Sequence, residues 1–324
     1  MKFSEFIDSW LFRKDGYYQK GIKIGKEGDF YTSVSVGSFF GICIAKYIMS
    51  FNKNFEIVEI GANEGHLICD IIQGIYTFDK TKLKNFEFFI VEPFENLRTI
   101  QKTNFENKIG KEVKLNHLSS LKEAKFKNAF FISNELFDTF KCEVVDNEKM
   151  LFIENFKPIF KTASKEIVDL AKKQGIKKGE VVLELDKFLL EIYQSSKKFR
   201  FLSFDYGDFA PRDDFTLRVF SKHQVYNFFD IKNLKEFYQK SDITYNVVFK
   251  NIKDEFLKFK DVQFENFCSQ SKALINFKAD EILETLLKNA GENAYKNGVL
   301  QLKRLIIEMG EKFKMIEFSK GYLN

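Results

Sequence analysis

Two glycines, an asparagine and a carboxylate stand where this chain could hold a small ligand. Gly61-Ala62-Asn63-Glu64-Gly65 follows a short apolar run, Ile57 to Ile60, and precedes a helical apolar pattern at Leu67, Ile68, Ile71 and Ile72. Strand, glycine turn and helix in that order bring backbone close to a nucleotide-like ligand in an α/β sheet. Gly61 and Gly65 remove side chains along its path, and Asn63 is the non-glycine residue that best tolerates positive φ. A second apolar run, Phe86 to Val91, ends in Glu92, 27 residues beyond Gly65. A carboxylate there can accept two hydrogen bonds from ribose hydroxyls. The same glycines would serve a tight strand-to-helix connection with no ligand; Glu92 tips the balance towards a ligand.

The second constellation is Ala129-Phe-Phe-Ile-Ser-Asn134-Glu135-Leu-Phe-Asp138, an apolar strand followed by three polar residues within five positions. Ligands gather at the carboxyl ends of strands in open α/β sheets. Asn134, Glu135 and Asp138 could bind a guanidinium through several N–H groups, take up its proton and aim a nitrogen lone pair at a sulfonium methyl. A polar cap on a following helix is the alternative. Asp205, in Phe201-Leu-Ser-Phe-Asp205-Tyr-Gly207, is a third strand-end carboxylate. His223 has the intrinsic pKa of a general base, about 6.5, although a lone histidine in a polar loop is more often a surface residue. His66 and His117 read as structural, and no cluster of histidines or acids suggests a metal.

Between nucleotide cofactors, the dinucleotide fingerprint Gly-x-Gly-x-x-Gly is poorly matched. The looser turn suits S-adenosylmethionine, which has no pyrophosphate to seat on a helix N-terminus. Glu64 at that N-terminus would also repel a phosphate.

The elements that must position these residues alternate. Strands at 55–60, 86–92 and 129–133 are separated by helices at 64–74 and 94–105, with a short strand near Val113. That rhythm predicts βαβ units and a parallel sheet. Helical spacing of Phe3, Phe6, Ile7, Trp10 and Leu11 predicts an N-terminal helix, and a second is expected over Val36 to Met49. A glycine-rich loop spans Asp15 to Ser33. Residues 142–160 read as a hairpin, followed by a charged helix near 163–174, a strand at 181–185 and a helix to about 196. A strand-like segment at 243–249, helices around 279–306 and a strand at 313–318 complete the reading.

Composition bounds the function. At 44% hydrophobic and 30% charged, the 324-residue chain has the balance of a globular protein. The net charge of +5 is mild and basic residues are interspersed with acids, so nucleic acid is not an expected partner. Cys43, Cys69, Cys142 and Cys268 show no Cys-x-x-Cys spacing and read as buried thiols in a reducing cytosol. Glu5 and Asp8 stand where a signal peptide would be apolar. Val34 to Met49, interrupted by Gly37, Gly41 and Lys46, is too short for the ~20 residues of a membrane span. A cytoplasmic protein with no integral membrane segment is expected.

Six blocks, in order, resemble the MidA-like S-adenosylmethionine-dependent methyltransferases. They are Asp15-Gly-Tyr-Tyr with Gly28-Asp-Phe-Tyr-Thr-Ser33 and Phe40-Gly41; Val58-Glu-Ile-Gly61 with Gly65 and Leu67; Ile90-Val-Glu92 with Leu97-Arg98; Asn134-Glu-Leu-Phe-Asp138; Asp205-Tyr-Gly207 with Thr216-Leu-Arg218 and His223; and Met309-Gly-Glu-Lys-Phe-Lys314. The resemblance implies an α/β, Rossmann-like class I methyltransferase sheet, mostly parallel with an antiparallel C-terminal strand. It implies a helical extension over 1–50 and a methyltransferase domain over 51–324, with an insertion around 142–198. S-adenosylmethionine would lie against Thr32, Ser33, Glu59, Gly61, Asn63, Gly65, Glu92 and Asn134. Asn134, Glu135, Asp138, Asp205 and His223 would serve catalysis. The implied acceptor is a protein arginine, on a partner such as a respiratory complex subunit, and a homodimer is compatible with it. Asn246 and Val248 stand where the family has a histidine and an acid, and Ala62-Asn63 where it has Pro-Gly. Those changes keep a second reading open, a non-catalytic assembly protein on the same fold. A small-molecule or RNA methyltransferase is the third.

Overall fold

The computed structural model describes residues 1–19 and 32–322. Gly28 to Tyr31, part of the N-terminal block, lie outside the described residues. The elements in chain order are α1 (Phe3–Leu11), α2 (Phe39–Ser50), β1 (Phe55–Ile60), α3 (His66–Asp79), β2 (Phe86–Val91), α4 (Glu95–Ile109), β3 (Leu115–Leu118) and β4 (Phe126–Asn134). Next come β5 (Cys142–Asp146), β6 (Lys149–Glu154), β7 (Lys157–Thr162), α5 (Lys165–Gln174), β8 (Lys178–Val182), α6 (Leu185–Ser195) and β9 (Ser196–Asp208). The chain then forms β10 (Arg218–Ser221), β11 (Gln224–Asn227), α7 (Leu234–Phe237), β12 (Asp242–Thr244), β13 (Val247–Val248), α8 (Phe249–Phe256), β14 (Val262–Ser269), α9 (Gln270–Asn276), α10 (Ala279–Lys303) and β15 (Phe313–Lys320). They build two compact units. One comprises 32–134, 190–205 and 257–324; the other comprises 1–31, 135–189 and 206–256.

The first unit carries the main sheet, in the order β14-β15-β9-β4-β1-β2-β3. Strands β3, β2, β1, β4 and β9 are all parallel neighbours, and β14 runs antiparallel to β15. This is the Rossmann-like class I methyltransferase arrangement, parallel with an antiparallel C-terminal strand. The central strands are apolar along their length because both faces are covered. Ile57, Phe130, Ile132 and Leu202 join Phe40, Ile44, Ile68 and Ile72 in one core. The helix after β1 begins at His66 rather than 64, because Gly65 has φ 78° and still belongs to the turn.

Two features of this unit give measurable expectations. Helix α10 is two helices: Gly291 has φ 83° and ψ −179°, and Gly298 comes against Leu283 and Leu286, so the second half folds back on the first. That backbone region is essentially glycine-only, so Gly291→Ala should destabilise the hairpin by about 1–3 kcal/mol. Local hydrogen exchange over 279–303 reads this directly. The second feature is a buried ion pair. Glu317, 2% exposed, accepts from Arg200 Nη1 at 2.6 Å and from the Tyr47 hydroxyl at 2.8 and 2.9 Å. The Arg200 guanidinium lies over Phe51 at 4.1 Å, while Glu265 approaches Nη2 only to 3.8 Å. Glu317→Ala would leave a largely buried guanidinium with the distant Glu265. We expect a loss of about 2–3 kcal/mol in urea unfolding, and a smaller loss in Glu317→Gln, which keeps an acceptor.

The other unit holds two small sheets. One is β7-β6-β5-β8, all antiparallel; the other is β11-β10-β12. The expected 142–160 hairpin is thus part of a four-stranded sheet, and β8 ends at Val182 rather than 185. Helix α1 buries Phe3, Phe6, Ile7, Trp10 and Leu11, the residues whose spacing predicts it. They pack with Cys142, Val144, Leu151, Val219, Phe228 and Ile243. The strand expected over 243–249 breaks into β12 and β13. The Asn246 N–H goes to Thr216 Oγ1 at 2.8 Å instead of a strand neighbour, and Phe249 opens α8. Among the described residues, no helix is long and apolar enough to cross a membrane.

Candidate functional site

The first unit brings the loop after β1 together with the end of β2. Gly61, Asn63 and Gly65 have φ of 71°, 46° and 78°, so three of five loop residues are left-handed. Two are glycine, and the third is the side chain that bears this conformation at least cost. The loop closes on itself through Gly65 N–H to Ala62 O at 2.8 Å. It is held by helix α4: Gln101 Nε2 donates to Asn63 O at 2.6 Å, and Asn104 Nδ2 to Glu64 O at 3.1 Å.

Glu92 is 3% exposed at the end of β2. Its carboxylate accepts from Phe94 N–H at 3.0 Å and from Gln101 Nε2 at 3.4 Å. Burial outweighs these bonds and the nearby Arg98, and pushes its pKa up to about 7. Glu59, within β1, points its carboxylate at the Ile68 N–H, 2.9 Å away, in the first turn of α3. It seats a buried acid at a helix N-terminus. Its pKa is nonetheless pushed up to about 8, by burial first and by Asp70 second. Thr32 and Ser33 are buried in the same unit. Thr32 forms a tight turn with Ser35, and the Ser33 hydroxyl donates to Gln270 at 2.8 Å. Asn134 ends β4 beside Phe204 of β9, so Asp205 follows at the same sheet edge, fully buried.

The remaining sequence candidates lie in the second unit. Glu135 has φ 54° and turns the chain out of β4. Asp138, 5% exposed, sits in a single 3₁₀ turn, Phe137–Thr139. Electrostatically it is coupled to the Arg218 guanidinium, which lies 4.1 Å over the Tyr206 ring, and to the Tyr18 hydroxyl, which donates to Asp242 at 3.0 Å. Burial lowers the pKa of Arg218, and Tyr206, Asp138 and Glu180 oppose that. His223 is exposed at the two-residue turn between β10 and β11, with φ 62°. Asn246 and Val248 line a cleft with Glu180, Asp208, Arg212 and Thr216.

Sequence reasoning missed Gln101. It is 0% exposed in a helix whose other buried residues are Leu97 and Phe105. The signal was its spacing: Leu97, Gln101 and Phe105 share the single buried face of α4.

The chain matches, over residues 40–266, the family described as "Putative S-adenosyl-L-methionine-dependent methyltransferase". That is more than half of its length, and the chain belongs to this family. Its cofactor is S-adenosyl-L-methionine, and methyl transfer is the reaction described for its family. In fold it is similar to a superfamily member from Burkholderia thailandensis whose crystal structure holds S-adenosyl-homocysteine. The TM-score is 0.83 at 20% identity, over 100% of this chain and 89% of that one. A native crystal structure of an uncharacterized Burkholderia thailandensis protein of the same superfamily gives 0.79 at 18% identity, over 100% and 88%. Among curated proteins, the mitochondrial protein arginine methyltransferase NDUFAF7 of Bos taurus is 32% identical over 94 residues, 26% of this chain. The match spans 21% of that relative's length.

The loop fits the cofactor. Asn63 Oδ1 and Gln101 Oε1 are buried acceptors with no protein partner, ready to take donors from a ligand. A Cβ on Gly65 would meet Gln101 Cγ at 3.3 Å and Ile90 Cδ1 at 3.5 Å, and its φ of 78° strains any side chain there, so the glycine lets the loop lie close against α4 and β2.

Proposed function

We propose that this methyltransferase modifies a side-chain nitrogen of a protein arginine, on a subunit of a respiratory complex during its assembly. The observation that carries the reading is Asn134-Glu135-Leu136-Phe137-Asp138 at the end of β4. The partial match to an arginine methyltransferase supports it. When bound, the cofactor supplies an electrophilic methyl group on a sulfonium. The ribose hydroxyls fall to Glu92, the loop from Gly61 to Gly65 gives the cofactor its backbone surface, and Thr32, Ser33, Glu59 and Asn134 complete the set of residues assigned to it. Asn134, Glu135 and Asp138 bind and orient the guanidinium, and a carboxylate among them takes its proton. An arginine lone pair is delocalised until that proton leaves. Asp205, at the same end of the sheet as Asn134, and His223 are the remaining residues assigned to catalysis. Cys43, Cys69, Cys142 and Cys268 are all free and buried, which suits a reducing compartment such as the cytoplasm.

The changes at Asn246 and Val248 favour one competing reading, an assembly factor that binds its partner without methylating it. Mass spectrometry of respiratory complex subunits from cells with and without the protein separates the two. A gain of about 14 or 28 Da on one arginine, present only with the protein, is the expected result. Unchanged subunit masses alongside failed assembly would leave the scaffold.

A further inference from the structure

We propose that Gln101 is a positioning residue of the cofactor site, fixing the glycine loop and the Glu92 carboxylate through one amide. The proposal rests on Glu92 being the ribose carboxylate. Gln101 is fully buried on α4, and its Nε2 donates both to Asn63 O at 2.6 Å and to Glu92 Oε2 at 3.4 Å. Both partners are acceptors, which sets the amide with its NH₂ towards them. Its Cβ and Cγ fill the space beside Gly65, 3.4 and 3.3 Å from where a side chain there would begin. One side chain therefore touches the loop at two points and the end of β2 at a third. A buried amide would be expensive without such partners. Leu97 and Phe105, one turn away on either side, are the apolar residues of α4 buried on the same face. An amide between them is placed for its hydrogen bonds.

The consequence is a pH signature. Glu92 has to be ionised to accept strongly from ribose hydroxyls. Its surroundings are the Phe94 N–H, Gln101 and Arg98 on α4, and its own N–H goes to Leu118 O of neighbouring β3. With the carboxyl near 7, affinity for S-adenosylmethionine falls as pH drops below that value. Removing the Gln101 N–H removes a bond to the charged form, so the midpoint moves to higher pH.

Titration calorimetry with S-adenosylmethionine between pH 6 and 9, on the full chain, tests this. Gln101→Leu should weaken binding about tenfold at pH 7, regain part of the loss at pH 9, and show an upward-shifted midpoint. Gln101→Glu keeps the shape and places a second acid against Glu92 and Asn63 O, so its midpoint should shift further. It also carries the test if Gln101→Leu does not fold. A purely structural role would lower the melting temperature and leave the pH profile alone. A folded variant of either kind with parental affinity and midpoint overturns the proposal. Glu92→Gln separates the two assumptions: if it binds like the parent, the ribose reading has failed; if it weakens while both Gln101 variants stay parental, only the role of Gln101 has.

Discussion

Asp138→Asn should retain cofactor binding and lose roughly 10²–10⁴-fold in methylation rate, the range typical for removing a positioned proton acceptor. The substitution keeps the size of a side chain that is 5% exposed and within electrostatic reach of Arg218 and Tyr18. It removes the negative charge and half of the acceptor capacity that a guanidinium would meet. The competing explanation is that Asp138 exists to balance the largely buried Arg218. Glu180 also acts on that guanidinium, so Arg218 would keep one carboxylate in the variant. The balancing role predicts a melting temperature lowered with turnover preserved in the folded fraction. The catalytic role predicts near-parental melting, near-parental affinity for S-adenosylmethionine and a collapsed kcat. Single-turnover methylation of an arginine peptide, measured beside a thermal melt, decides between them. Full activity in a folded variant would remove Asp138 from the chemistry.

The central sheet was legible in the sequence because its strands are covered on both faces. Runs such as Phe55–Ile60 and Phe86–Val91 are mostly apolar, interrupted by Glu56, Glu59 and Glu87 and followed by a glycine or an acid, and their bounds fall within a residue of the expectation. β14 was not legible. Its register shifts between Phe264 and Asn266, where a bulge destroys the period of two that would have betrayed a half-exposed strand. The β10–β11 hairpin was hidden for a related reason. Its turn is Lys222-His223, both at positive φ, whereas the usual signal for such a turn is Asn-Gly. His223 stands in that turn, exposed and at positive φ.

The cofactor loop was readable from residue type alone, since glycine and asparagine announce left-handed backbone. What holds the loop was not. Gln101 lies 36 residues from Gly65 and looks like any polar residue on an amphipathic helix. Only the coincidence of its position with the Leu97–Phe105 face marks it. Distant side chains that meet through the fold leave little trace in a single sequence, whereas local backbone demands leave a strong one.

Glu92→Ala should lower affinity for S-adenosylmethionine by on the order of tenfold to a thousandfold. Two charge-assisted hydrogen bonds to ribose hydroxyls would be lost, each worth roughly 1.5–3 kcal/mol. The carboxylate also serves the fold: it accepts from the N–H of Phe94, the residue that precedes α4. Loss of that bond should cost about 1 kcal/mol of stability, the usual scale for a helix-end contact. A small drop in unfolding free energy is therefore expected on either reading, and affinity is the quantity that discriminates. If Glu92 only fastens the start of α4, calorimetry on the folded variant should return nearly parental binding. The pH dependence sharpens the test. In the parent, the pKa of about 7 makes affinity decline as the solution is acidified through neutrality, because the carboxyl gains a proton and stops being a strong acceptor. In Glu92→Ala that titration is gone, and weak binding should be flat from pH 6 to 9. Glu59 is another carboxylate of this unit that burial pushes up, to about 8, while its partner is the Ile68 N–H of α3. A residual slope in Glu92→Ala with a midpoint near 8 would assign the remaining titration to Glu59. A slope unchanged from the parent would show that Glu92 never faced the ribose.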